Sequence, residues 1–111
     1  MTIRDIFFVN QAVNDLAVLP DGKFAVAMES GYVVVSDFHE HNEIKFSDNP
    51  IHYMSALLDG KLVIYDSGFV KIFNEDGTLV KVFKSRWGFQ VLPDGELVLL
   101  QTKRGGISIY K

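Results

Sequence analysis

The turn sequence VLPDG occurs twice in this chain, at residues 18–22 and again at residues 91–95, and a shorter relative, LLDG, occupies residues 57–60. The three Asp-Gly pairs are 38 and 35 residues apart. A period of this size indicates repeated supersecondary units. Pro before Asp-Gly presets one dihedral angle of a turn, and Gly accepts the positive φ that the turn needs. The repeat therefore predicts three copies of one hairpin-based unit.

The segments around each turn are short and rich in Val, Ile, Phe and Tyr, which is typical of strands. The runs KFAVAM, KLVIYD and ELVLLQ follow the three turns and are apolar at nearly every position, as in strands covered on both faces. All three copies continue into a third run. Two of them have a fourth, which is NEIKFSD (residues 42–48) in the first copy and GTLVKVFKSR (residues 77–86) in the second. A helix over QAVNDLAVL is the alternative for the first copy, but the other copies do not keep its spacing. Each unit is predicted to contain four antiparallel strands.

The third unit ends at Lys111, directly after its third strand, and lacks a fourth. A candidate for the missing strand lies at the other end of the chain. Phe8 precedes Asp21 by 13 residues, as Phe46 precedes Asp59, so residues 3–10 overlay a fourth strand without a gap. The prediction is twelve strands, with the outer strand of the last unit supplied from the amino terminus.

With these features the sequence resembles a β-propeller over its whole length. The LPDG turns and the third strands of the form GxVxVxD/F are similar to NHL and gluconolactonase-like repeats, whereas the Trp-Asp and Gly-His pairs of WD repeats are absent. The resemblance implies an all-β fold with three four-stranded antiparallel blades in a single domain of residues 1–111. The expected parts are an outer strand at residues 1–10 and blades at residues 12–48, 50–85 and 86–111.

Three blades do not close a propeller, which has about 4–8 blades around a central channel. Two copies supply six, so the resemblance implies a two-fold homodimer in which the amino-terminal strand of one chain completes the third blade of its partner. A fragment of a longer propeller is the alternative. The initial Met and the clean count of three units favour the homodimer.

Charge and composition narrow the choice of partners. The net charge is −3 and the pI about 5.5, which argues against sequence-blind binding of nucleic acid or of an anionic membrane. There is no Cys, so thiolate metal sites, disulfides and Cys nucleophiles are excluded. No apolar run approaches the length of a membrane span, and the first residues do not form a secretory signal. We expect a soluble, cytoplasmic protein without a cofactor.

Basic residues concentrate in the third unit. Lys84, Arg86, Lys103 and Arg104 are four of the eleven basic residues, and Trp87 is the only Trp. Guanidinium groups bind phosphate or carboxylate through two parallel hydrogen bonds, and an indole offers a stacking surface. The alternative is that the charges are solvated and that Trp87 fills the blade interior.

The resemblance also implies that ligands bind near the axis at one ring face, which is built from the loops that join strand four to the next strand one and strand two to strand three. His52 opens a strand there and completes the candidate site, although a lone His in such a place is more often structural. The His39–His41 pair lies in a loop that fixes no further metal ligand.

These residues predict a non-catalytic binding module for a small anionic ligand, such as a nucleotide or a phosphorylated metabolite, or for a protein. One alternative is a metal-dependent hydrolase or lactonase, which would use axial acidic residues such as Glu29, Asp48 and Asp66. Another is a carbohydrate-binding lectin. No phosphate loop, G-x-S-x-G or H-E-x-x-H motif occurs, and no catalytic residue is predicted.

Overall fold

The computed structural model describes residues 11–85, 88–100 and 107–110. This part of the chain forms eleven strands in three antiparallel sheets. The first sheet runs in the order β1 (Val13–Val18), β2 (Phe24–Met28), β3 (Tyr32–Ser36), β4 (His41–Lys45). The second runs in the order β5 (Met54–Ala56), β6 (Leu62–Asp66), β7 (Phe69–Phe73), β8 (Leu79–Lys84). The third runs in the order β9 (Phe89–Val91), β10 (Leu97–Leu100), β11 (Ile107–Tyr110).

The repeated turn is the same structure in all three sheets. In the first, the N–H of Leu19 donates to the carbonyl of Lys23 at 2.8 Å, and the N–H of Gly22 donates back to Leu19 at 3.0 Å. Gly22 has a φ of 91°, which closes the three-residue loop between the first two strands. The turn Asp accepts a hydrogen bond from the backbone N–H two residues later, in the pairs Asp21–Lys23, Asp59–Lys61 and Asp94–Glu96. The predicted hairpin turns are therefore confirmed.

Apolar side chains lie on both faces of the central strands and join neighbouring sheets. One cluster connects the first sheet to the second and includes Ala25, Val33, Leu62 and Ile64. Another connects the second sheet to the third and includes Val63, Val70, Ile72, Leu97 and Leu99. Successive residues of β6 thus face opposite neighbours, as the two-residue period of a strand requires. This layering explains why the runs after the turns are almost uninterruptedly apolar.

The helix alternative at residues 11–19 is wrong, since Val13–Val18 forms strand β1. The predicted fourth strands were also too long at their ends. Strand β4 ends at Lys45 because the N–H groups of Phe46 and Ser47 both turn to the carbonyl of Gly31, at 3.0 Å each. The chain therefore leaves the first sheet earlier than the apolar pattern indicated and crosses to the second.

The predicted amino-terminal strand, residues 3–10, lies outside the described residues. Strand β11 pairs with β10, and no other described strand lies beside it. Within the described ranges no helix has the length and apolar character needed to cross a bilayer.

Candidate functional site

Polar side chains tie two loops together at one end of the first sheet. The side-chain amide of Asn14 donates to Glu29 Oε2 at 2.8 Å and to the carbonyl of Ile51 at 3.1 Å. The N–H of Ser30 donates to Gln11 Oε1 at 3.1 Å. The segment that enters the first strand and the loop between the second and third strands therefore share one end of the sheet. These are two of the loops in which the resemblance implied a ligand face.

The corresponding end of the second sheet holds a buried carboxylate. Asp66, only 4% exposed, accepts hydrogen bonds from Ser47 Oγ (2.7 Å), Asn49 Nδ2 (3.1 Å) and Lys71 Nζ (2.9 Å). Burial by itself raises the pKa of Asp66, but the hydrogen bonds from Lys71, Ser47 and Asn49 outweigh it and hold the pKa below its ordinary value. The cluster therefore fixes an ionised Asp and fastens the segment between the two sheets.

A groove of about 460 Å³ opens along the first strands of the three sheets. We call it the first-strand groove. It is lined by Asp15 of the first sheet, by residues 53–55 and Tyr65 of the second, and by residues 88–91 of the third. Its wall combines an exposed phenol (Tyr53, 64% exposed), an exposed amide (Gln90) and apolar side chains such as Phe89. This volume and mixed lining are within the range of ligand-binding clefts.

Both carboxylate oxygens of Asp15 are used within the protein. Oδ2 accepts from the N–H of Met54 at 2.8 Å, and Oδ1 accepts from the N–H of Leu16 at the same distance. Asp15 therefore anchors one wall of the groove to another. The described residues of the wall supply binding surface and hydrogen-bonding groups.

The structure places two of the six predicted site residues. Lys84 ends strand β8 and is exposed, and His52 is exposed just before strand β5. Neither belongs to the lining of the first-strand groove, although His52 directly precedes Tyr53. The other four, Arg86, Trp87, Lys103 and Arg104, lie outside the described residues.

The residues on either side of Arg86 and Trp87 are fixed in position. Ser85 is fully buried; its hydroxyl donates to the carbonyl of Gly88 at 2.8 Å, and its N–H donates to the carbonyl of Gly68 at 3.0 Å. Gly88 lines the groove and has a φ of 84°. The basic loop predicted from the sequence is thus connected at its carboxyl end to the first-strand groove.

The three acidic residues of the hydrolase alternative each have a partner within the protein. Glu29 accepts from Asn14, Asp48 pairs with Lys45 at 2.6 Å, and Asp66 accepts from Ser47, Asn49 and Lys71. In the part of the chain that the structure describes, no three His, Cys, Asp or Glu side chains are grouped to hold a metal ion. In the His-x-His pair, His41 Nδ1 hydrogen-bonds Ser36 Oγ at 2.8 Å.

No family model matches the sequence, and no curated protein matches it. Several solved structures are similar to this chain. The WD40 β-propeller domain of Doa1 is 20% identical with a TM-score of 0.69, over 93% of this chain and 38% of that one. The WD40 repeats of RRP9 are 12% identical with a TM-score of 0.67, over 95% of this chain and 40% of that one. The chain has the β-propeller fold.

A third similar structure is YCF48 bound to D1 peptide, which is 16% identical with a TM-score of 0.62, over 79% of this chain and 32% of that one. The chain spans about two fifths or less of the length of these three proteins. At these identities the likeness concerns the fold, so the choice between NHL-like and WD-like repeats stays a prediction. The three sheets match propeller blades, and we call them blades one to three below.

Sequence reasoning missed the lining of the first-strand groove. A signal for it exists, since Asp15, Tyr53 and Gly88 each precede the Asp of their turn by six residues. They are the same position of the repeat in three blades. A comparison of repeat positions, rather than a search for charged clusters, would have pointed to this surface.

Proposed function

We propose that this protein is a non-catalytic binding module that holds an extended segment of a partner protein in the first-strand groove. The observation that carries the proposal is the groove itself, about 460 Å³ in volume and built from all three blades. In a propeller the blades surround a central channel, so a groove along the first strands faces the axis. Tyr53 stands exposed in its wall, and exposed Tyr is enriched at protein interfaces because it combines a large apolar surface with a hydroxyl group.

The chemistry of the wall supports a peptide over a charged metabolite. The side chains of Tyr53, Ser55 and Gln90 offer hydroxyl and amide groups that can pair with backbone N–H and carbonyl groups. Among the described lining residues the carboxylate is that of Asp15, which is already paired with backbone N–H groups. The structure of YCF48, similar to this chain with a TM-score of 0.62, is named as bound to D1 peptide, which supports a peptide as the ligand.

Selection from a random peptide display library tests this function without knowledge of the natural partner. Selected peptides should bind the wild type and lose about tenfold or more in affinity for Tyr53→Ala, as expected for a central aromatic contact. Val82→Ala is the matched control, because Val82 is also an exposed strand residue but lies on β8, away from the groove. Peptides that bind Tyr53→Ala as well as wild type would contradict the proposed site.

A second candidate function is the binding of a small anion, such as a nucleotide, at the edge of the third blade. The concentration of Lys84, Arg86, Lys103 and Arg104 at the end of blade two and in the predicted third blade supports it. Thermal-shift measurements with nucleotides and phosphorylated metabolites should show stabilisation of wild type that weakens with salt. Arg86→Ala should reduce the binding free energy by about 1.5–3 kcal/mol, because a charge-assisted hydrogen bond is lost. Binding that depends on neither Arg86 nor salt would exclude this site.

The homodimer with an exchanged amino-terminal strand, predicted from the sequence, also belongs to the proposal, because a propeller ring has about 4–8 blades and the described residues form three sheets. The hydrolase and lectin alternatives stay predictions. Metal analysis of the purified protein separates the hydrolase from the binding module, because one bound calcium or zinc ion per chain would favour the hydrolase.

A further inference from the structure

The carboxylate in the wall of the first-strand groove forms no ion pair with a described Lys, Arg or His. We propose that the partner segment carries an arginine, whose guanidinium group pairs with Asp15 while its aliphatic stem packs on the ring of Tyr53. The inference rests on the peptide binding proposed above and names the side chain that the groove selects.

The two groups that hold Asp15 in place are both neutral. Oδ2 accepts from the N–H of Met54 and Oδ1 from the N–H of Leu16, each at 2.8 Å. A carboxylate can accept about four hydrogen bonds, so about two positions are left. Asp15 is half-buried, and a charge that is partly removed from water is costly unless it is paired. A cationic group of the ligand is therefore favoured at this point of the wall.

Two other carboxylates that are at least half-buried do have a cation beside them. Asp66 pairs with Lys71 at 2.9 Å, and Glu75, whose side chain is 33% exposed, pairs with Lys23 at 2.8 Å. Among the described residues Asp15 has no such Lys. A guanidinium group from the partner would give Asp15 the counter-charge that the other two carboxylates already have.

Aromatic side chains adjoin Asp15 in the same groove. The N–H of Met54 that Asp15 accepts belongs to the peptide bond after Tyr53, so the backbone of Tyr53 lies beside the carboxylate. The N–H of Tyr65 donates to the carbonyl of Tyr53 at 3.3 Å, which makes the two Tyr cross-strand neighbours on one face of the sheet. Phe89 adds a ring from blade three. The faces of such rings attract cations, and Arg more often than Lys.

Arginine fits this combination of groups better than lysine does. Its planar guanidinium group can form two parallel hydrogen bonds with a carboxylate and can also stack on an aromatic ring. Its stem covers apolar surface while the charged end stays polar. The Gln90 amide and the Ser55 hydroxyl, in the same lining, offer acceptors for the remaining N–H groups. A lysine ammonium is a more strongly hydrated point charge and has no planar fork.

Peptides selected by display on the wild type, with counter-selection on Tyr53→Ala, test the inference. They should share an arginine. Replacing that arginine by citrulline, which has the same shape but no charge, should weaken binding to the wild type about tenfold or more, because charge-assisted hydrogen bonds are lost. Replacement by lysine should also weaken binding, since the fork is lost. Isothermal titration calorimetry with the synthetic peptides measures each affinity.

The variant Asp15→Asn identifies the group that the arginine contacts. The arginine and citrulline peptides should bind this variant within about twofold of each other, because the carboxylate that distinguishes them is absent. Asp59→Asn is the matched control, since it makes the same change in net charge at an exposed turn residue outside the groove lining. It should keep the tenfold difference. Circular dichroism establishes that both variants are folded.

Amide NMR spectra of the wild type keep the test decisive if Asp15→Asn does not fold. Met54 is 3% exposed, and its N–H donates to Asp15, so its amide resonance reports on that carboxylate. The resonance should shift when the arginine peptide binds and shift less with the citrulline peptide at equal saturation. Equal shifts with the two peptides would contradict the pairing.

The possible failures separate the inference from the proposed function. Peptides that need Tyr53 but share no arginine, or that tolerate citrulline, would overturn the inference and leave peptide binding in the groove standing. An equal loss with citrulline on wild type and on Asp15→Asn would show that Asp15 is not the partner of the arginine, and would overturn the inference as well. If no peptide binds in a way that depends on Tyr53, the inference and the proposed function both fail.

Discussion

The carboxylate of Asp15 in blade one accepts a hydrogen bond from the backbone N–H of Met54 in blade two, at 2.8 Å. Met54 itself is buried, and its N–H belongs to a first strand of only three residues. The other oxygen of Asp15 accepts from the N–H of Leu16, which holds the side chain in place. One carboxylate thus connects the first strands of two blades and forms part of the groove wall.

Replacing this acceptor should weaken the contact between the first two blades. Asp15→Ala leaves the N–H of Met54 without its partner, and we expect the free energy of unfolding to fall by about 1–3 kcal/mol. Asp15→Asn keeps one acceptor oxygen and should cost less. Urea denaturation measures both variants, and equal stability of Asp15→Ala and wild type would show that the hydrogen bond contributes nothing.

Neutralising the buried carboxylate of Asp66 in blade two should lower the free energy of unfolding more than neutralising an exposed carboxylate does. Asp66→Asn removes the charge that pairs with Lys71 at 2.9 Å and turns an amide N–H₂ toward other donors. We expect a loss of about 2–3 kcal/mol, below the full cost of breaking a buried pair because Lys71 is partly exposed. Asp59→Asn is the control, since it removes only the exposed pair with Lys61 and should cost less than about 1 kcal/mol. Equal losses in the two variants would contradict the role of burial.

The ion pair between Asp66 and Lys71 should make the stability of the protein depend on pH. The pKa of Asp66 is lowered in the folded protein from an ordinary value of 3.8, so its contribution is complete above that value and is lost as the pH falls through the folded pKa. The difference in stability between wild type and Asp66→Asn should be constant from about pH 5 to 7 and shrink below about pH 4. A difference that persists undiminished to pH 2 would show that ionisation of Asp66 is not its source.

Substitution of Gly31 by Ala should lower the stability of the protein more than substitution of its counterpart Gly68. Both have a positive φ, 87° and 88°, so Ala is strained at either position. A Cβ at Gly31 would also collide with the carbonyl oxygens of Ser47 and Asn49, whereas a Cβ at Gly68 has nothing within 4 Å. Thermal or urea unfolding should show Gly31→Ala less stable than Gly68→Ala by about 1–3 kcal/mol. Similar losses would mean that the segment after β4 moves aside without cost.

Removal of residues 1–10 tests the predicted exchanged strand. Strand β11 pairs with β10, and unpaired strand edges favour aggregation. We expect the truncated chain to be insoluble or to lose its dimer, as judged by light scattering after purification. A truncated protein that is dimeric and melts at the wild-type temperature would show that these residues add no strand to the assembly.

Much of the blade structure could be predicted because its cause is local. The turn at Asp21-Gly22 needs one positive φ, which Gly22 supplies, and one side-chain acceptor, which Asp21 supplies. Strand β6 reads as apolar on both faces because a blade lies on each side of it. The end of β4 at Lys45 was missed, since the bond from Phe46 to Gly31 joins residues that no sequence pattern connects.

The candidate site, like the fold, could be predicted from the sequence only in part. The sequence by itself determined the repeat, the four strands of the first two blades and the apolar faces at which blades meet, because period, turn chemistry and alternation act within a few residues. Tertiary structure alone decided the groove, since Tyr53 and Gln90 become neighbours only when two blades pack together. It also decided that Asp15 links two blades and that Asp66 is buried and ionised. The role of a carboxylate depends on the hydrogen-bond donors that distant strands place beside it.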